Sequence, residues 1–206
     1  MKKVSILLII FLLSLSTITA CVSKTQSPPN GEEQQEDLED NKDESPHSWI
    51  TELDDTIMIE GTEESIKLKF YDSEKNFITY VPEDMLTEKV TVHEKDYYMF
   101  YANFLGNKNE NVFLKLHFLP KGDVKPESPF ENSTMEPTQN SYKNYPWSLE
   151  EYSGDDVYGI LGEHNGQYFT IEINRPAEFA DGFGPRANKI IQHLYWTDTN
   201  EYLVTK

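Results

Sequence analysis

Short runs in which apolar and polar residues alternate recur along the chain after residue 55. In one of them Ile66, Leu68 and Phe70 share one side, with lysines between them. Period-two alternation over so few residues is typical of half-buried β-strands, because successive side chains of a strand point to opposite faces. Polar turns separate the runs, and Asn165-Gly166 is a strong hairpin signal. The pattern therefore predicts an antiparallel sheet of about seven strands. The runs are 56–60, 65–71, 76–81, 89–93, 97–105, 112–119, 157–163 and 168–173.

One segment near the C-terminus repeats with a helical period instead. Ala187, Ile190, Ile191 and Leu194 recur at three- and four-residue intervals, which is typical of an amphipathic helix. Pro185 suits the first position of that helix. We therefore expect the α+β class, with the helix packed on the antiparallel sheet.

The middle of the chain lacks a clear period. Residues 120–155 scatter five prolines among Ser, Asn, Thr and Glu, so we expect a long excursion with little regular structure. Within it, 147–151 is predicted to begin a short helix. Further on, 176–181 is predicted to form a single helical turn that ends at Gly182.

The N-terminus has the layout of an export signal. Lys2 and Lys3 precede an apolar stretch over 4–15, and small and polar residues lead to Ala20. This order is typical of a secretory signal peptide, and the apolar stretch is shorter than the ~20 residues of a membrane span. The chain's single cysteine, Cys21, follows directly.

The residues Ile18-Thr19-Ala20-Cys21 resemble the lipobox of bacterial lipoproteins, with Ile18 in place of the more usual leucine. The resemblance implies a lipid attached to the Cys21 sulfur and cleavage before that residue. The protein would then be anchored in the cell membrane by its N-terminal lipid, on the extracytoplasmic face.

Charge and composition divide the chain further. Residues 22–46 contain no aromatic side chain and are rich in acids, which is typical of a disordered tether. The expected organisation is a lipoprotein signal peptide at 1–20, a lipidated cysteine and acidic tether at 21–46, and one α+β domain at 47–206. The net charge of -18 argues against nucleic acid as a partner, because phosphate binding requires clustered Lys and Arg.

The run 77–82, Phe-Ile-Thr-Tyr-Val-Pro, followed by Met85, resembles an early element of the PsbP/Mog1-like domains. In that element a strand ends in an aromatic–proline step, and a bulky apolar residue follows. Here Val81 separates Tyr80 from Pro82, and Met85 stands where such domains often have Trp. The resemblance implies an α/β/α sandwich and a binding or assembly role, and it supplies no catalytic residue.

A weak anion site is predicted near the start of the C-terminal helix. The turn 182–186 would offer backbone amides and a helix dipole to an anion. Arg175 and Arg186, the two arginines of the chain, flank this turn. The alternative is a tight turn whose arginines pair with the acidic body of the domain.

Two further candidates remain open at this point. His93 and His117 lie on polar strand faces and could hold zinc with a nearby carboxylate, or could simply face solvent. The aromatic run 97–104 could belong to the core or line a surface groove. No catalytic residue, cofactor or metal site is assigned from the sequence.

These observations predict a lipid-anchored extracytoplasmic binding or assembly module without enzymatic activity. Its partner would be another envelope protein or a small ligand. The alternatives are a cell-envelope hydrolase and a metal-binding lipoprotein.

Overall fold

The computed structural model describes residues 49–74, 76–130, 134–138 and 144–204. The predicted signal peptide, Cys21 and the tether lie outside these residues. Twelve strands, one 3-10 turn and one α-helix follow one another in the described part of the chain. They are β1 (Glu52–Ile59), β2 (Thr62–Asp72), β3 (Phe77–Pro82), β4 (Met85–Val92), β5 (Lys95–Phe104), β6 (Asn107–Phe118), β7 (Glu136–Pro137), β8 (Glu150–Ser153), β9 (Val157–His164), β10 (Gln167–Asn174), the 3-10 turn (Ala177–Phe179), α1 (Ala180–Gln192), β11 (Tyr195–Trp196) and β12 (Glu201–Tyr202).

The strands form two sheets, in which all the pairings are antiparallel. The larger sheet has seven strands in the order β4-β5-β6-β10-β9-β8-β7, and the smaller has five in the order β1-β2-β3-β11-β12. The α+β class is therefore confirmed. The prediction of one sheet was too simple, because the early strands and the C-terminal strands pair separately from the seven-stranded sheet.

Local sequence explains most of the strands. In β10, Phe169 and Ile171 are fully buried, as their alternation predicted. The β9–β10 hairpin turns at Asn165 and Gly166, whose φ angles are 48° and 73°. Both residues therefore have the positive φ that a tight two-residue hairpin turn requires, which Asn and Gly tolerate best.

The helix begins earlier than the sequence predicted. It starts at Ala180 and includes Gly182, Gly184 and Pro185 in its first turns. The predicted helical turn over 176–181 is present in part as the 3-10 turn Ala177–Phe179, but it runs directly into α1 instead of ending at Gly182. Glycine and proline usually interrupt helices, which is why the sequence predicts an end there. Here the side chains of the helix are held by packing, which outweighs weak local propensity.

One core joins the helix to both sheets. Ile190 and Ile191 of α1 are 1% exposed, and they pack with Phe77 of β3, Leu114 of β6 and Ile171 of β10. Two smaller clusters lie on other faces of the sheets. One is built around Leu68 and Tyr80, and the other around Phe130 and Leu161.

Two further expectations are corrected. The segment 147–151 begins no helix, because Glu150–Ser153 forms strand β8 and pairs with β9. The described residues contain one α-helix, so they do not place helical layers on both faces of a sheet. No helix in the described part of the chain has the length and apolar character to cross a membrane.

Candidate functional site

A cleft of about 470 Å³ opens between helix α1, the ends of β9 and β10, and the segment 144–147. Among the residues that the structure describes, its lining combines apolar, aromatic and amide side chains with a single charged one, Arg175. We call it the Arg175 cleft. Its volume lies within the ~300–1,000 Å³ that is usual for small-molecule sites.

Arg175 is fixed in the cleft by its position directly after β10. Its backbone N–H donates to the carbonyl of Asp156 at 2.8 Å. Its guanidinium lies against Gly184 of the helix, where a Cβ atom would stand only 2.9 Å from Nη1. Among the described residues no carboxylate pairs with Arg175, so its charge faces the cleft without an internal counter-ion.

One buried carboxylate holds the wall of the cleft in place. Glu151 is 5% exposed and accepts hydrogen bonds from the backbone N–H groups of Asn144 (3.0 Å) and Tyr145 (2.8 Å). It also accepts from Ser148 Oγ at 3.0 Å and from the hydroxyl of Tyr158. Burial by itself raises the pKa of Glu151, but these donors outweigh it and hold the pKa below its ordinary value. The residue is therefore an ionised anchor for the segment 144–148.

Hydrogen bonds continue from this anchor to the helix. Tyr145 donates its hydroxyl hydrogen to Asn188 Oδ1 at 2.7 Å, and Asn144 Nδ2 donates to the Tyr158 hydroxyl at 2.9 Å. Burial raises the pKa of Tyr145, while the charge of Arg175 partly offsets that rise. Burial and the bond to Glu151 raise the pKa of Tyr158. Both tyrosines are therefore neutral and positioned at neutral pH.

The floor of the cleft is apolar. Trp147 stacks on Phe169 with ring centroids 6.0 Å apart and lies 5.4 Å from the ring of Tyr145. Ile173 and Ile191 complete this surface. The Trp147 Nε1 atom is buried without a hydrogen-bond partner within the described structure. A flat apolar group could rest on this floor while its polar end reaches Arg175.

The second predicted anion residue has a different environment. Arg186 Nη2 and Nε both contact Asp84 Oδ2, at 2.6 and 2.8 Å, and Nη1 donates to the Gly182 carbonyl at 2.7 Å. Arg186 lines other cavities than the one that Arg175 lines. The turn 182–186 is also not a helix start, because α1 begins at Ala180. The structure therefore gives the two arginines no common site.

The aromatic strand β5 divides between core and surface. Tyr98 and Phe100 are 1% exposed and belong to the main core. Tyr97 lies on the opposite side and stacks on His117, with ring centroids 4.6 Å apart. This pair lines a cavity of about 280 Å³ with the 119–130 segment, where Lys115 is paired with Glu172 at 2.6 Å.

The histidines acquire specific surroundings. His117 Nδ1 lies 2.9 Å from the carbonyl oxygen of Asp96, and His93 lies at the turn between β4 and β5 with a φ of 49°. No group of three or more His, Cys, Asp or Glu side chains within the described ranges is arranged to hold a metal ion.

Sequence reasoning identified Arg175 but missed Tyr145, Glu151, Tyr158 and Asn188. No short spacing joins these residues, since they come from a loop, two strands and a helix. Glu151 in particular is one of 36 acids in the chain and has no distinguishing neighbour in the sequence.

Comparison of the chain with protein-family models, with curated proteins and with solved structures finds no match.

Proposed function

We propose that this protein is a lipid-anchored extracytoplasmic binding module without enzymatic activity, and that the Arg175 cleft holds a small ligand. The anchor would be the lipidated Cys21, followed by the acidic tether over 22–46. Support for the anchor comes from the lipobox-like residues and the signal-like stretch before them. Two lipid chains would give stable retention, which one chain alone does not.

The observation that carries the binding role is the construction of the cleft itself. Its apolar floor and its ring of neutral hydrogen-bonding groups are typical of small-molecule sites. The hydrogen bonds of Glu151 and Tyr145 fix its wall before any ligand arrives. Such preorganisation favours affinity, because less conformational entropy is lost on binding.

The finer fold assignment is part of the same proposal. Kinship with the PsbP/Mog1-like domains is supported by strand β3 with Met85 after it, and by the late β9–β10 hairpin followed by α1. The single described α-helix departs from an α/β/α sandwich. A binding or assembly role is what that resemblance implies.

The anchor is tested by Cys21→Ser in the full chain. We expect the variant to leave the membrane fraction or to remain unprocessed, because the thiol accepts the lipid. Unchanged membrane retention together with unchanged electrophoretic mobility would contradict the anchor.

The binding role is tested with a fragment library and the indole N–H signals of the full chain. The protein has three tryptophans, and Trp147→Phe identifies the signal of the cleft. We expect fragments to shift the Trp147 signal. If the library shifts only signals outside the cleft, or none, the proposed ligand site is wrong.

A further inference from the structure

We infer that the ligand of the Arg175 cleft is an organic carboxylate with a flat apolar body. This inference rests on the proposed function and adds the chemical class of the ligand. The first observation is that the charge in the cleft is opposite in sign to the net charge of the chain. Acids outnumber Lys and Arg by 36 to 18 in the chain, yet among the described lining residues Arg175 is the only charged one and no carboxylate is present.

Helix α1 leaves space for the guanidinium of Arg175 at Gly184. Gly184 is buried within α1, where glycine is less favourable for the helix than alanine. Its missing side chain leaves the space that the Arg175 guanidinium occupies, 2.9 Å from where a Cβ would be. The helix thus accommodates the guanidinium at this point, at a cost in local helix propensity.

Neutral groups around the arginine suit a carboxylate. Asn188 lines the cleft and accepts the Tyr145 hydroxyl hydrogen through Oδ1, which leaves its amide N–H groups as donors for a ligand. Gln192 supplies a second amide at the rim. A guanidinium donates two parallel hydrogen bonds to one carboxylate, and adjacent amide donors add to its binding. With a single cation in the described lining, a monoanion is balanced better than a multiply charged phosphate.

The apolar floor defines the rest of the ligand. Trp147, Ile173 and Ile191 lie beside the polar groups in the same cleft, and their surface is best covered by a flat hydrocarbon or aromatic group. A carboxylate on a short apolar body matches both halves of the cleft.

The test uses three probes that share one body: 3-phenylpropionate, its primary amide, and 3-phenylpropylamine. Binding to the full chain is measured by titration calorimetry and by the Trp147 indole signal. We expect the carboxylate to bind at least tenfold more tightly than the amide, and the amine to bind most weakly. Arg175→Gln should weaken carboxylate binding at least tenfold and leave the amide within about twofold.

Two further variants separate charge recognition from a folding effect. Gly184→Ala should displace the guanidinium and weaken carboxylate binding without lowering the melting temperature, because alanine favours the helix. Arg186→Gln is the matched control, since Arg186 is bound to Asp84, and it should leave binding unchanged.

The outcomes distinguish the two proposals. Equal or tighter binding of the amide or amine at Trp147 would overturn the carboxylate class while supporting a ligand site in the cleft. Failure of 3-phenylpropionate alone, while neutral fragments shift Trp147, would have the same meaning. If none of the probes and no library fragment reaches the cleft, the proposed function fails and this inference fails with it.

Discussion

The two arginines of the chain lie at opposite extremes of pairing. Arg186, inside α1, binds one carboxylate oxygen of Asp84 through two nitrogens and donates a hydrogen bond to the Gly182 carbonyl. Arg175, just before the helix, has no carboxylate partner among the described residues and borders a cleft lined by neutral groups. The same side chain therefore serves the fold in one place and is available to a ligand in the other.

This difference shows why residue type alone does not locate a binding site in an acidic protein. An arginine surrounded by acids is usually neutralised by one of them, as Arg186 is by Asp84. Arg175 escapes because its neighbours are amides, tyrosines and a glycine, and because Glu151 turns its carboxylate toward backbone and hydroxyl donors. Substitutions at other positions and at each arginine can separate the scaffold that both arginines share from the role of each one.

The largest loss of stability is expected from a substitution that undocks helix α1, because the surroundings of both arginines include this helix. Ile190 is 1% exposed, and Ile190→Ala removes packing between α1 and the sheets. We expect a loss of ~2–5 kcal/mol in the free energy of unfolding, including the cavity left behind. The loss is measured as a lower midpoint of urea unfolding with an unchanged m-value. Substitution of the exposed residue, Gln192→Ala, is the control. Equal midpoints for wild type and Ile190→Ala would show that the helix is not docked.

The next effect concerns the anchor of the cleft wall. Glu151→Gln keeps the shape of the side chain but removes the charge that accepts four hydrogen bonds, so we expect a loss of about 1–3 kcal/mol at pH 7. Chemical unfolding measures it, and Glu163→Gln, at an exposed position of β9, is the control. A change of less than a few tenths of a kcal/mol would contradict the anchoring role.

The pH dependence of this variant sharpens the test. The folded pKa of Glu151 is below its ordinary value near 4.5, so its contribution is complete above that pH and is lost as the pH falls through the folded pKa. The stability gap between wild type and Glu151→Gln should therefore narrow on acidification. A gap that stays constant from pH 7 to pH 3 would contradict the direction of the pKa shift.

The sequence predicted the parts of the fold that follow from local periodicity. Alternation identified β2 and β10, and Asn165-Gly166 identified the hairpin between β9 and β10, because period and turn chemistry act over a few residues. The start of α1 could not be found in this way. Gly184 and Pro185 are interruptions by propensity, which the packing of the helix outweighs. The space for the Arg175 guanidinium accounts for the glycine at 184.

Of the cleft residues discussed above, the sequence predicted one, Arg175. Arg175 was identified because the chain has so few arginines. The partners Tyr145, Tyr158 and Asn188 meet through tertiary contacts between a loop, a strand and a helix, and Tyr145 and Asn188 are 43 residues apart. No periodicity records such contacts. Arg186 was grouped with Arg175 for the same compositional reason, and only its geometry against Asp84 separates the two.

Arg186→Gln should have a smaller effect than Glu151→Gln. The pair with Asp84 is partly exposed, with side-chain exposures of 22% and 44%, so solvent screens the interaction and we expect a loss of about 1 kcal/mol or less. Differential scanning calorimetry at low and high salt measures it, and the loss should shrink as salt rises. A loss equal to that of Ile190→Ala would show that the pair is part of the core scaffold.

Arg175→Gln should have the smallest effect on stability. The guanidinium has no internal carboxylate to lose within the described structure, and glutamine removes charge while keeping a polar end, so we expect a change within about 0.5 kcal/mol. Arg175→Gln should cause the larger loss of carboxylate binding and the smaller loss of stability. Arg186→Gln should instead cause the larger loss of stability and leave carboxylate binding unchanged. Paired unfolding and titration measurements on both variants give this crossed pattern directly. If Arg175→Gln destabilises the fold more than Arg186→Gln does, Arg175 is a structural residue, and the contrast between the two arginines is wrong.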